Sequence, residues 1–164
     1  MRENFNEHTV EGDVVHIKIK DRVCTVDLED LELVGEHRWH LDSKRYATTV
    51  VMECGKRCDY SMHRLLLGFP NLHVDHADQN PLNNCRSNLR LATYSQNLAN
   101  RSTFKNNTSG FKGVCWSKKA NKWMSQIQHQ NHNYYLGLFD TPELAHEAYK
   151  AKAEELFGSF ACKG

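Results

Sequence analysis

The sequence predicts an α+β protein in three parts: a strand-rich N-terminal segment, a strand–loop–strand–helix unit, and a three-stranded antiparallel sheet with one helix. Three observations predict it. Residues 14–20 alternate, with Val15, Ile17 and Ile19 on one face of a strand. Thr93-Tyr94-Ser95-Gln96 follows two short apolar runs and has the form of a helix capping box. Three short strand-like runs at 113–116, 122–129 and 133–138 precede Thr141-Pro142-Glu143, a helix start with an N-cap threonine, proline at the first position and acid in the first turn.

The elements follow in order. Residues 23–26 form a second short strand, and residues 27–34 a short helix capped by Asp27 and stopped by Gly35. Trp39 and residues 46–51 return to strand. Residues 61–68 form an apolar helix ended by glycine, after a Pro70-Asn71 turn residues 72–76 a strand, residues 78–84 a loop, and residues 87–92 a second strand. A helix beginning after Thr93 carries Asn97 in its first turns. Residues 105–110 lack apolar side chains and read as a linker. Leu144, Ala145, Ala148 and Ala151 offer the last helix a small-residue face, and Gly158 ends it. The organisation is a support segment (1–59), a central unit (60–104), the linker (105–110) and a C-terminal module (111–164).

Composition narrows the function classes. The 164 residues are 40% hydrophobic and 25% charged, which suits a globular chain. No apolar run reaches membrane-spanning length, and the N-terminus lacks the apolar core of a signal peptide, so the expected site of action is the cytoplasm. Six cysteines are scattered and are expected as reduced thiols. Cys54 and Cys58 could supply half a zinc site, with Cys85 and histidines as loose further candidates. The net charge of +1 hides an asymmetry: residues 1–60 hold 9 basic and 13 acidic side chains, residues 101–164 hold 9 and 5. Residues 101–139 contain six Lys/Arg and no acid, which suits phosphate neutralisation or a solvated basic surface.

The central unit holds the chemistry. Asp75, His76, Asn88 and Asn97 combine a carboxylate, an imidazole and two carboxamides. Oxygen ligands suit a hard divalent ion such as Mg²⁺. An imidazole titrating near neutrality suits a general base. Neighbours on an ideal strand point to opposite faces, so Asp75 and His76 share a cavity only if a bulge or strand end reorients one.

His63-Arg64-Leu65, Val74-Asp75-His76, Asn80-Pro81-Leu82-Asn83-Asn84, Asn88-Leu89-Arg90 and Asn97 together resemble the ββα-metal (His-Me finger) core of phage HNH homing endonucleases, over roughly residues 60–101. The resemblance implies Asp75 and Asn97 as metal ligands, His76 as general base, and Asn88 as a brace that orients the histidine through its backbone. Asparagine where that family often has histidine favours Mg²⁺ or Mn²⁺ over a soft metal. The implied chemistry is single-metal hydrolysis leaving a 3′-hydroxyl and a 5′-phosphate. His63 either approaches phosphate or packs. Arg90 and Arg101 either pair with phosphate or decorate the surface.

Residues 109–158 carry Ser109-Gly110-Phe111-Lys112-Gly113-Val114-Cys115-Trp116, Lys122-Trp123-Met124-Ser125-Gln126-Ile127 and Tyr135-Leu136-Gly137-Leu138-Phe139-Asp140-Thr141, and resemble the APETALA2-type DNA-binding domain. The resemblance implies a sheet in the major groove with a helix behind it, and Lys112, Cys115, Trp116, Trp123, Gln126, Gln128 and Tyr135 at contact positions. That family usually has arginine at the positions of Lys112, Cys115 and Gln128, so base specificity does not transfer. Lys112, Lys118, Lys119 and Lys122 can meet phosphates, and Gln126 and Gln128 can reach base edges. Each tryptophan either touches DNA or fills the small core. Val114, Ile127, Leu136 and Phe139 are core candidates.

The expected protein is a DNA endonuclease of homing or mobile-element type. It acts as a monomer on double-stranded DNA, away from membranes and without an implied protein partner, in the host cytoplasm if phage encoded. Its rivals are a non-catalytic DNA-binding regulator with a degenerate core and a zinc-stabilised binding protein.

Overall fold

The computed structural model describes residues 6–101, 103 and 107–161; parts of the expected segments at residues 1–5, 102, 104–106 and 162–164, including the first two residues of the linker, lie outside them. The chain divides into two compact units, one up to Leu91 and one from Ala92. No helix among the described residues is long and apolar enough to cross a membrane.

The first unit begins with a sheet of β1 (His8–Glu11), β2 (Val14–Ile19) and β3 (Arg22–Asp27), in that spatial order. The register sets Val15 opposite Val26 and Ile17 opposite Cys24, and all four are buried. The 14–20 alternation therefore places its apolar face as expected. Asp27 departs from expectation: its carboxylate makes no cap and instead accepts from the Arg86 backbone N–H at 2.7 Å. Without that cap the expected single helix splits into a 3₁₀ turn (Leu28–Asp30) and a short α1 (Leu31–Gly35).

A second sheet holds β4 (His40–Leu41), β5 (Ala47–Glu53) and β6 (Lys56–Ser61). The β5–β6 hairpin turns through Cys54 and Gly55 at φ 49° and 76°, the positive-φ pair that a two-residue hairpin loop needs. Then come α2 (Met62–Leu66), β7 (His73–His76) and its partner β8 (Leu89–Ala92). One core joins all of this: Val15, Ile19, Val34, Trp39, Ala47, Met62 and Leu66 cluster with Leu89 of β8. Each fully buried aliphatic side chain there contributes about 1.5–3 kcal/mol. Trp39 satisfies its indole N–H on the Val34 carbonyl at 2.8 Å.

The second unit holds α3 (Tyr94–Asn100), β9 (Val114–Ser117), β10 (Lys122–His129), β11 (His132–Phe139) and α4 (Pro142–Phe157). The capping box forms: Thr93 Oγ1 accepts from Gln96 N at 3.3 Å, and Gln96 Oε1 accepts from Thr93 N at 2.9 Å. The sheet is antiparallel with β10 central, and Leu136 is the extra residue of a bulge, since Gly137 pairs with Ser125 and Tyr135 with Gln126. Thr141 caps α4 as expected. The buried residues of α4 are Ala145, His146, Tyr149, Ala153 and Phe157, while Leu144 is exposed. The Tyr149 and Phe157 rings bury more area than a leucine and set the helix phase. Gly113 sits at φ 73°, where an added Cβ would lie 2.0 Å from the Tyr149 ring and 2.8 Å from the Gln126 carbonyl oxygen. Only glycine lets the chain pass that ring.

Candidate active site

The loop between β7 and β8 is organised by asparagines. Asn88 Oδ1 accepts from Asp78 N at 3.0 Å, and its Nδ2 donates to Asp78 Oδ1 at 2.9 Å and to the Asn83 carbonyl at 2.8 Å. Its own carbonyl accepts from Ala77 N at 2.9 Å, and the His76 carbonyl accepts from Gln79 N at 2.9 Å. One side chain thus ties both ends of the loop beside His76. Burial opposes ionisation of Asp78, but hydrogen bonds from Asn83, the Asn80 N–H and Asn88 outweigh it and hold the carboxyl below its usual value.

The loop is docked on the edge of β3. Thr25 N donates to the Leu82 carbonyl and Asn84 N to the Thr25 carbonyl, both at 2.8 Å. The Arg86 guanidinium grips the buried Asp30 with two bonds of 2.9 and 2.7 Å. The N-terminal sheet therefore sets the height of the loop, which gives the expected support segment a specific physical task.

His76 ends β7 and is 5% exposed. Its Nε2 lies 3.3 Å from Asn84 Oδ1, and its ring is 5.2 Å from the ring of His63 and 5.8 Å from that of Tyr46. Burial lowers its pKa, against the raising influence of Asn84, Asp78 and Asp75. The ring is therefore neutral at physiological pH, as a proton acceptor must be. Burial, with help from the neighbouring His76 and Arg64, pushes His63 down to about 4. Its Nδ1 is buried without a hydrogen-bond partner among the described residues. His63, expected against phosphate or as packing, is an aromatic neighbour of His76.

Asp75 is equally buried, at 5%, and its Oδ2 accepts from Arg90 Nε at 2.8 Å. Arg90, expected at phosphate or on the surface, is thus paired with the expected metal ligand. Asp75 meets Arg90, while His76 at the strand end meets Asn84, His63 and Tyr46. Asn97 lies half-buried on α3, in the second unit. The Asp75 carboxylate and the Asn97 carboxamide are each, taken singly, of the oxygen-donor kind that suits a hard divalent ion.

Asp27, Glu29 and Asp30 are the group of His, Cys, Asp or Glu residues that clusters tightly enough for a metal among the described residues. Arg86 already occupies it with ion pairs to Glu29 and Asp30. Cys54 and Cys58 belong to no such group.

In the second unit, alternation and register put Gln126, Gln128 and Tyr135 on one face, with Tyr135 61% exposed and Gln126 directly opposite it. Trp116 and Trp123 pair across strands, rings 5.1 Å apart, and share the parity of buried Val114 and Ser125, the face that packs on α4. The two tryptophans and the three polar residues therefore occupy opposite faces of the sheet. Lys118 and Arg101 are exposed. Lys112, expected at phosphate, directs its ammonium at the carbonyls of Leu98, Ala99 and Arg101 at 3.0, 2.5 and 2.6 Å, closing the C-terminus of α3.

Single-sequence reasoning missed Asn84 and Tyr46. Asn84 reads as a turn residue in an asparagine-rich loop, and its contacts with Cys24 and His76 appear only on folding.

The HNH endonuclease family matches residues 68–99, a span containing Asp75, His76, Asn84, Asn88 and Asn97. A protein of Acanthamoeba polyphaga mimivirus, named as an uncharacterized HNH endonuclease, is 35% identical over 150 residues, covering 87% of this chain and 74% of that protein. Protein 3.8 of Escherichia phage T7 is 38% identical over 89 residues, covering 54% of this chain and 73% of its own length. No solved structure matches the chain. Neither the family match nor these relatives supply evidence for the APETALA2-type resemblance of residues 109–158. A braced loop, a buried neutral imidazole beside a carboxylate, and relatives matched over most of their length lead to one conclusion: this chain belongs to the HNH endonuclease family.

Proposed function

We propose that this chain is a DNA endonuclease that hydrolyses phosphodiester bonds with one divalent metal ion, Mg²⁺ or Mn²⁺, and that residues 111–164 direct it to double-stranded DNA. The observation that carries this reading is His76, a buried neutral imidazole within the family-matched span, flanked by Asp75 and by a loop that Asn88 braces. His76 takes a proton from a water as the water oxygen attacks phosphorus. The P–O3′ bond breaks, its electron pair leaves on the 3′ oxygen, and solvent protonates that oxygen. A 3′-hydroxyl and a 5′-phosphate result. Asp75 and Asn97 are the residues that would hold the ion, which when bound would counter charge on the scissile phosphate and the departing oxygen.

Gln126, Gln128 and Tyr135 form the outer sheet face that meets DNA, while Lys118 and Arg101 neutralise phosphate. Relatives in a giant virus and a phage support a phage or mobile-element setting. Homing-type cleavage by a monomer in the host cytoplasm belongs to the same proposal.

The test is cleavage of a supercoiled plasmid with Mg²⁺ and with EDTA. The wild type cuts only with the metal. His76→Ala still retards duplex DNA in a gel but does not cut. Cutting by His76→Ala at the wild-type rate, after removal of contaminating nuclease, overturns the base assignment. A wild type that binds DNA but never cuts with either metal is a regulator instead.

A further inference from the structure

Asn84 is 0% exposed, one of the most enclosed polar side chains among the described residues, and it belongs to none of the roles assigned so far. Its surroundings fix which way its amide faces. Nδ2 lies 3.1 Å from Cys24 Sγ and 3.5 Å from the Pro81 carbonyl oxygen, which can only accept. The reversed amide would set two carbonyl oxygens against each other at that distance.

Cys24 reinforces the choice. Burial pushes its thiol up to about 12, so it keeps its proton. That S–H donates to Met62 Sδ at 3.5 Å, leaving sulfur lone pairs for the Asn84 NH₂. With the NH₂ committed there, Oδ1 is the atom that faces His76 Nε2 at 3.3 Å. A carboxamide oxygen only accepts, so Nε2 must carry the hydrogen and the ring lone pair must sit on Nδ1. The remaining faces of the imidazole are walled by the rings of His63, edge-on at 77°, and Tyr46.

We infer that Asn84 is a positioning residue: its side-chain oxygen locks His76 in the Nε2–H tautomer, so that Nδ1 is the nitrogen that accepts a proton from water. The functional half of this inference rests on the nuclease reading of His76; the tautomer half does not. A directional chain of hydrogen bonds then runs, donor to acceptor, from His76 through Asn84 in the loop and Cys24 on β3 to Met62 on α2. The N-terminal sheet holds the loop in place and also sets the chemistry of the ring.

The test is ¹⁵N-histidine NMR of the full chain at mildly alkaline pH, where nitrogen shifts and couplings report the tautomer, with plasmid cleavage run in parallel. The expected result is an Nε2–H signature for His76 in the wild type. In Asn84→Leu, which keeps the γ-branched shape but not the acceptor, that signature gives way to a mixture. Cleavage kcat falls by about 10- to 100-fold, as for loss of other orienting partners, with KM for DNA within about twofold. Asn84→Asp, which restores an acceptor oxygen, recovers the Nε2–H signature. An Nδ1–H tautomer in the wild type overturns the inference without any variant. So does an unchanged tautomer in a folded Asn84→Leu. A wild type that shows the Nε2–H form but cuts no DNA upholds the lock and removes only the nuclease reading.

Discussion

Arg90 Nε donates to Asp75 Oδ2 across 2.8 Å, between side chains that are 21% and 6% exposed. Removing one member of such a pair strands the other charge away from water. Arg90→Ala is therefore expected to lower stability by about 2–4 kcal/mol, the lower end reflecting the partly solvated guanidinium. Arg90→Lys should recover only part of this, because the directed Nε–H is lost. Urea unfolding measures both, and a loss under about 0.5 kcal/mol for Arg90→Ala would show the pair to be energetically idle.

The brace provided by Asn88 makes a separate prediction about local rather than global stability. Three of its side-chain hydrogen bonds converge on Asp78 and Asn83. Asn88→Ala leaves the Asp78 amide without that acceptor and releases the loop from the strand end. Native-state hydrogen exchange should show the Asp78 amide losing protection by about tenfold or more, a change of one lost hydrogen bond. Core amides of β2 should change far less. Uniform loss across the unit would mean that Asn88 supports the fold as a whole and not the loop.

Much of this architecture was legible in the sequence, and the omissions share a cause. The capping box at Thr93, the Thr141–Pro142 helix start and the Val15/Ile17/Ile19 face are local signals, and they hold in the structure. β1 has one apolar residue in His8–Glu11, and β6 reads Lys-Arg-Cys-Asp-Tyr-Ser, so neither offers alternation to find. Each exists because an adjacent strand supplies its ladder. Cys54 invites a metal reading by its spacing from Cys58, but among the described residues neither joins a cluster that could hold an ion, and Cys54 occupies a hairpin turn position. The chemistry of the site divides likewise. Asp75, His76 and Asn88 stand out by spacing, whereas Asn84 depends on Cys24, a partner 60 residues away.

The histidine pair predicts an acid-labile first unit. The folded state holds His63 neutral down to about 4, and burial lowers His76 in the same direction. The unfolded chain protonates these rings near their ordinary value of 6.5. Acidification between those limits loads protons onto the unfolded state alone. Stability from His63 is thus complete above about 6.5, falls as the pH drops, and levels off below about 4. The contribution of His63 is at most about 3 kcal/mol, and partial solvent access reduces it. Unfolding free energy measured across this range should slope less for His63→Phe than for the wild type. Parallel slopes would show that His63 is protonated as readily folded as unfolded.

Two lysines of the second unit should separate structural from DNA-binding charge. Lys112 closes α3 by donating to three terminal carbonyls, whereas Lys118 is exposed in the turn between β9 and β10. Lys112→Met removes the carbonyl partners and should destabilise the second unit by about 1–2 kcal/mol, as charge-assisted hydrogen bonds at a helix end do. Its effect on the salt dependence of DNA binding should be small, because its charge is already committed to the backbone. Lys118→Ala should leave unfolding unchanged within about 0.5 kcal/mol but reduce the slope of log affinity against log salt by about one. Urea denaturation and duplex-binding titrations over a salt series read the two effects separately. If Lys112→Met lowers the salt slope as much as Lys118→Ala, its ammonium leaves α3 for phosphate in the complex, and the helix end would then be rebuilt on binding DNA.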